Sequence, residues 1–143
     1  MTRMQTNDVI FEMVLPRRPV SYNARGRPGY RRWKDYIINH AKILWRESIL
    51  EGSDYYFQII YICHENPVDV DNIIKGVQDA LVGVLYADDV NISDISAHRR
   101  FTSEKIIIEE LPDKLRNELD NRQQMADTVY FRLCKSRGIG SFT

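Results

Sequence analysis

Between residues 69 and 89 the chain carries five aspartates, Asp69, Asp71, Asp79, Asp88 and Asp89, together with Lys75. Asp71, Lys75 and Asp79 are spaced four apart, so on a helix they line one face, away from the stripe through Val77 and Leu81. Two carboxylates within one turn, followed by an acidic pair, create a repulsion that a bound cation would relieve. Mg²⁺ prefers oxygen ligands, keeps several waters and takes two or three carboxylates as a typical protein contribution. Beside a phosphate such an ion can polarise the phosphoryl oxygen, generate hydroxide and stabilise the leaving oxyanion. An ammonium nearby neutralises charge in the transition state, a post that suits Lys75.

Each of these residues also has an ordinary structural explanation. Asp69 can cap a helix, which is worth ~1 kcal/mol. Lys75 can pair with Asp71 or Asp79 across one helical turn, each pair worth ~0.3–0.5 kcal/mol. Asp88-Asp89 is a common turn sequence. It is the accumulation of all of them in a short span that favours a cation site.

A second feature is cationic. From Met13 to Lys34 there is no acidic residue, while Arg17, Arg18, Arg25, Arg27, Arg31, Arg32 and Lys34 are basic. Arginine and lysine contacts to a phosphate backbone give salt-dependent affinity without reading sequence. The interleaved Tyr22 and Tyr30 could stack on exposed bases. Trp33, which falls on an apolar helical stripe, reads better as core, and the arginines could form no more than a solvated loop. The formal net charge of the chain is zero, so only the distribution of charge points to nucleic acid.

Positioning these groups requires a folded core, and 143 residues with 43% hydrophobic content suffice for one domain, 1–143. Residues 8–15 read as a strand ended by Pro16, and 16–29 as a loop. An amphipathic helix is predicted from about Tyr30 to Leu50 through Trp33, Tyr36, Ile37, Ala41, Leu44 and Trp45. Residues 54–63 form a buried strand by composition. A helix over 69–85 presents Val70, Ile73, Ile74, Val77, Leu81 and Val84 to the core, and two strands follow at 90–99 and 104–110. Beyond Pro112 the polar stretch 113–135, with a weak stripe of Leu115, Leu119, Val129 and Leu133, reads as a third helix, and the tail from Ser136 as frayed. The expected fold class is α+β, a mixed sheet of about four strands packed by two to three helices. No apolar run approaches the ~20 residues that span a bilayer and no signal peptide opens the chain, and Cys63 and Cys134 fit no zinc pattern, so a cytoplasmic protein with free thiols is expected.

The run DVDNIIKGVQDALVGVLYADDVNI, residues 69–92, resembles the signature of the RusA-type crossover junction endodeoxyribonucleases, the Holliday junction resolvases of bacteria and their prophages. The shared pattern is an acid-x-Asp-Asn start, a lysine four residues after the second acid, an Asp-Ala-Leu and an aromatic-x-Asp-Asp close. Pro19-Val20-Ser21-Tyr22-Asn23 is similar to the family's Pro…Ser-x-Asn element, and the resemblance covers about residues 9 to 110. It implies that Asp69, Asp71 and Asp89 bind Mg²⁺, with Mn²⁺ as a substitute, and that Lys75 assists catalysis. With the charge of the basic segment, it leads to the expectation that Arg17, Arg18, Asn23, Arg25, Arg27 and Arg31 contact branched DNA; the need for two nicks and the resemblance together imply a homodimer that places two sites on a four-way junction, with no small-molecule cofactor. This chain is neutral where family members are basic, and 111–143 extends past the resemblance. The rival readings are a nuclease of flaps or forks, a catalytically silent branched-DNA binder, and a plain metal-binding or interaction module.

Overall fold

The computed structural model describes residues 9–52, 54–103, 110–120 and 127–136. Its centre is β2 (Tyr55–Cys63), a run of aromatic and β-branched residues buried on both faces but for a half-buried Gln58. Such a strand needs cover above and below and a neighbour on each side. On one side it pairs antiparallel with β4 (Thr128–Lys135), which pairs antiparallel with β1 (Val9–Leu15). On the other it pairs parallel with β3 (Ile92–Phe101), giving a mixed four-stranded sheet in the order β1-β4-β2-β3.

Parallel strands cannot be joined by a hairpin and need a crossover. Here α2 (Val70–Leu81) makes that connection between β2 and β3. With α1 (Pro28–Leu44) it covers one face of the sheet, where Tyr30, Trp33, Ile37 and Ala41 of α1 meet Ile73, Val77, Ala80 and Leu81 of α2 over Met13, Phe57, Ile59, Tyr61 and Phe131. Trp33 is core, as its place on the stripe predicts. The opposite face holds a smaller cluster, in which α3 (Asp113–Asp120) seats Leu115 against Ile60, Ile62 and Tyr130. The α+β class and the four-stranded mixed sheet agree with expectation.

Several expectations fail. The helix read over 69–85 ends at Leu81, because the chain reverses through Gly83 at φ +83° and leaves Val84 beyond the helix. The helix predicted over 113–135 does not run through that stretch: α3 is described over Asp113–Asp120, and Thr128–Lys135 is a strand in the middle of the sheet. Thr-Val-Tyr-Phe favours extended backbone, and burial on both faces removes the alternation that would have identified a strand. Helix α1 ends at Leu44 rather than near Leu50. Tertiary contacts draw the chain away there: Trp45 packs edge-on against Phe11, and the Leu50 amide donates to the Leu85 carbonyl at 2.8 Å. The strand expected over 104–110 lies, except for Glu110, outside the described residues, as does the tail after Ser136. Ser136 itself is tied down, its amide donating to the Asp54 carbonyl and its hydroxyl bonded to Asp94 and Ser93. Both cysteines are buried and neither is in a disulfide. Among the described residues no helix is long and apolar enough to cross a membrane.

Candidate active site

Helix α2 carries most of the site. Asp69 occupies its N-cap position, yet its side chain makes no capping hydrogen bond; its carbonyl accepts from the amides of Asn72 at 3.0 Å and Ile73 at 3.2 Å instead. The capping explanation for this carboxylate therefore does not apply. Asp71 sits in the first turn, and both residues are exposed. Neither carboxylate is paired with a cation among the described residues.

One turn further on, Lys75 turns toward the C-terminal half of the helix. Its Nζ lies 3.0 Å from Asp89 Oδ2 and 3.3 Å from Asp79 Oδ1. The hydrogen bonds that Lys75 donates to Asp89 and Asp79 raise its pKa above the ordinary 10.5 and keep it an ammonium. Reciprocally, the hydrogen bond from Lys75, then that from Asp88, lowers the Asp89 carboxyl below 3.8. Asp88 has a different task, since it caps the 3₁₀ turn Asp89–Asn91 by accepting from the Val90 amide at 3.1 Å. The adjacent pair is thus divided between a cap and a partner for Lys75.

Asp89 returns to α2 because the chain reverses tightly after the helix. Gly83 adopts φ +83°, a conformation that disfavours any side chain, and its amide donates to the Tyr86 carbonyl at 2.8 Å. Tyr86 is fully buried and its hydroxyl donates to the Gln78 carbonyl at 2.8 Å. Burial above all, reinforced by the charges of Asp89 and Asp79, raises the Tyr86 pKa, so this hydroxyl remains a donor.

The basic segment lies against the same helix. The 3₁₀ turn Tyr22–Ala24 packs on α2, and Tyr30, at the start of α1, reaches over Gly76, where an added Cβ would stand 3.2 Å from the tyrosine hydroxyl. Burial, then the charge of Asp79, raises the Tyr30 pKa. Tyr22 meets Tyr30 edge-on, and the Arg25 guanidinium lies 4.5 Å over the Tyr22 ring. Arg25, Arg27, Arg31 and Asn23 are exposed, and Arg17 stacks over Tyr36 at 4.6 Å. Arg18 differs from these, because its guanidinium is already engaged with Asp127 and with the carbonyls of Glu65 and Asn66. Sequence reasoning missed Asp127 altogether, having placed it inside a helix.

The structure therefore unites Lys75 with Asp89 and leaves Asp69 and Asp71 together at the head of the helix. On the helix axis Asp71 and Lys75 are ~6 Å apart, so the acids spread over more than one turn. Among the described residues no three acidic, histidine or cysteine side chains converge on a metal position. The chemistry of the set still suits a hard cation: two solvent-facing carboxylates two residues apart, without cationic partners among the described residues, and a third carboxylate kept ionised against Lys75.

The chain matches the family model described as endodeoxyribonuclease RusA over residues 17–109, a span containing the basic segment, α2 and Asp89. No curated protein matches it. Because that span is more than half of the 143 residues and holds the whole acid–lysine constellation, the chain belongs to the RusA endodeoxyribonuclease family.

Proposed function

We propose that the protein cuts branched DNA, above all four-way junctions, by Mg²⁺-dependent hydrolysis of phosphodiesters in bacterial recombination and repair. Asp69, Asp71 and Asp89 would hold the ion, which when bound supplies an activated water and charge stabilisation at the phosphoryl oxygen. The observation that carries this reading is the Lys75–Asp89 contact at 3.0 Å on the helix whose N-terminal end holds two carboxylates with no cationic partner among the described residues.

The chain's own groups have separable tasks. Lys75 stays cationic because two carboxylates hold its proton, so it acts as a fixed positive charge toward a phosphate, not as a base. Arg25, Arg27 and Arg31, exposed on the segment that packs against α2, bind the DNA backbone. Arg17 and Asn23 extend that surface. Direct attack by water leaves no covalent enzyme intermediate. Resolving a junction needs two nicks, which favours a two-fold homodimer acting in the cytoplasm.

The test is a cleavage panel of labelled four-way junction, flap, fork and linear duplex, each with and without Mg²⁺. Preferential, paired nicking of the junction in Mg²⁺ supports the proposal. Equal cutting of flaps and forks would move the substrate to that class, and binding without any cutting would indicate a silent junction binder.

A further inference from the structure

The loop that delivers the chain from β2 to Asp69 is held by a buried anion. Asp127, 7% exposed, accepts hydrogen bonds from the Tyr61 hydroxyl at 2.7 Å, from the His64 amide at 3.0 Å and from Arg18 Nη1 at 3.0 Å. Arg18 also donates to the loop itself, Nη2 to the Asn66 carbonyl at 2.6 Å and Nη1 to the Glu65 carbonyl at 3.4 Å. Asn66 has φ +52°, a backbone conformation uncommon for a residue with a side chain. Such a conformation persists when its surroundings determine it, and here the Arg18 fork grips the carbonyl of that very residue. Three residues later stands Asp69.

These contacts join three distant parts of the chain. Arg18 belongs to the basic segment, His64–Asn66 to the loop, and Asp127 to the lead into β4, beyond the residues that match the family model. A buried carboxylate is costly to keep unless its charge is paired and its lone pairs filled, and this one has both. Arginine is suited to the post because its planar fork can serve a carboxylate and neighbouring carbonyls at once, which a lysine ammonium cannot do with the same geometry.

We propose that Arg18 and Asp127 are positioning residues that set the place of Asp69, so that the segment beyond the family match helps to shape the metal-binding end of α2. Arg18 then serves the site mainly from within the protein and only secondarily as a DNA contact. This inference rests on the reading of Asp69 as a metal ligand.

The experiment compares Arg18→Lys, Asp127→Asn, Tyr61→Phe and Asp69→Asn with the parent, without DNA, by Mn²⁺ titration followed by electron paramagnetic resonance and by amide hydrogen exchange. Arg18→Lys and Asp127→Asn should weaken Mn²⁺ binding ~tenfold, the scale seen when the partners of metal ligands are removed. They should also accelerate exchange at His64, and at Asn72 and Ile73, whose amides bond the Asp69 carbonyl. Tyr61→Phe removes one Asp127 contact while leaving the Arg18 fork in place, so it should lower the Tm without changing Mn²⁺ affinity. If Asp69→Asn abolishes binding while Asp127→Asn and Arg18→Lys leave affinity at the parent value, the positioning role is wrong and the metal reading stands. A loss of Mn²⁺ affinity in Tyr61→Phe equal to that in Asp127→Asn would reduce the effect to general destabilisation and overturn the role. Unchanged binding in Asp69→Asn overturns both readings.

Discussion

Lys75 Nζ and Asp89 Oδ2 stand 3.0 Å apart, joining the middle of α2 to the turn that precedes β3 although fourteen positions separate them in sequence. An exposed pair of this kind contributes at most ~1 kcal/mol to stability. Its expected value lies in chemistry. Lys75→Met should reduce junction cleavage by ~10²–10³-fold, the scale for losing one charge-stabilising group, while the Tm changes little. Single-turnover rates and thermal melts on the same preparations check both halves; a full-rate Lys75→Met protein would remove the lysine from the mechanism.

The same pair predicts a pH response of stability. Lys75 has a raised folded pKa, so its contribution is fully present below the unfolded value near 10.5 and is lost as pH rises through the folded value. Asp89 has a lowered pKa, so its contribution is present above 3.8 and is lost as pH falls through the folded value. Between about pH 5 and 9 neither group titrates, and the Tm difference between parent and Asp89→Asn should be flat. A slope in that difference near pH 7 would mean that the pair is not an ammonium facing a carboxylate throughout this range.

Gly76 gives a packing prediction. Alanine in a helix interior gains ~1 kcal/mol over glycine, but here the new Cβ would stand 3.2 Å from the Tyr30 hydroxyl, and Tyr30 is buried. Gly76→Ala alone should therefore lower the Tm. Adding Tyr30→Phe removes the closest atom and leaves contacts of 3.4 Å and beyond, so the double variant should melt above Gly76→Ala. Additive losses in the double variant would contradict the contact.

For the basic segment, reversing charge at Arg25 and Arg27 should weaken junction binding in the absence of cleavage and flatten its salt dependence. Each lost phosphate contact reduces the log–log slope by ~0.9. Affinity measured from low to moderate salt decides it, and an unchanged slope would leave these arginines as a solvated loop.

How much of this was legible before folding differs from residue to residue. Helix α2 and its two faces follow from the 3.6-residue period, which sends Ile73, Val77 and Leu81 inward and Asp71 and Lys75 outward. Spacing alone did not separate Asp88 from Asp89, since both suit a turn; the resemblance singled out Asp89, and the fold brings that residue to Lys75. Strand β4 was misread because its burial on both faces leaves no alternation, and its place depends on pairing with β1 and β2 far earlier in the chain. Asp127 was invisible for a related reason: its partners include residues 18, 61 and 64, more than sixty positions away in sequence. Local periodicity therefore exposed the acids and the lysine, while the contacts that place them depend on long-range topology.

The most direct measurement is cleavage of a labelled four-way junction in Mg²⁺ by the parent and by Asp71→Asn, with junction affinity measured alongside in Ca²⁺. Asp71 is exposed and free of cationic partners among the described residues, so its substitution leaves the fold unburdened. The account predicts paired nicks by the parent that need Mg²⁺, and a loss of at least ~10²-fold in Asp71→Asn with binding retained. Cleavage by Asp71→Asn at the parent rate would contradict it.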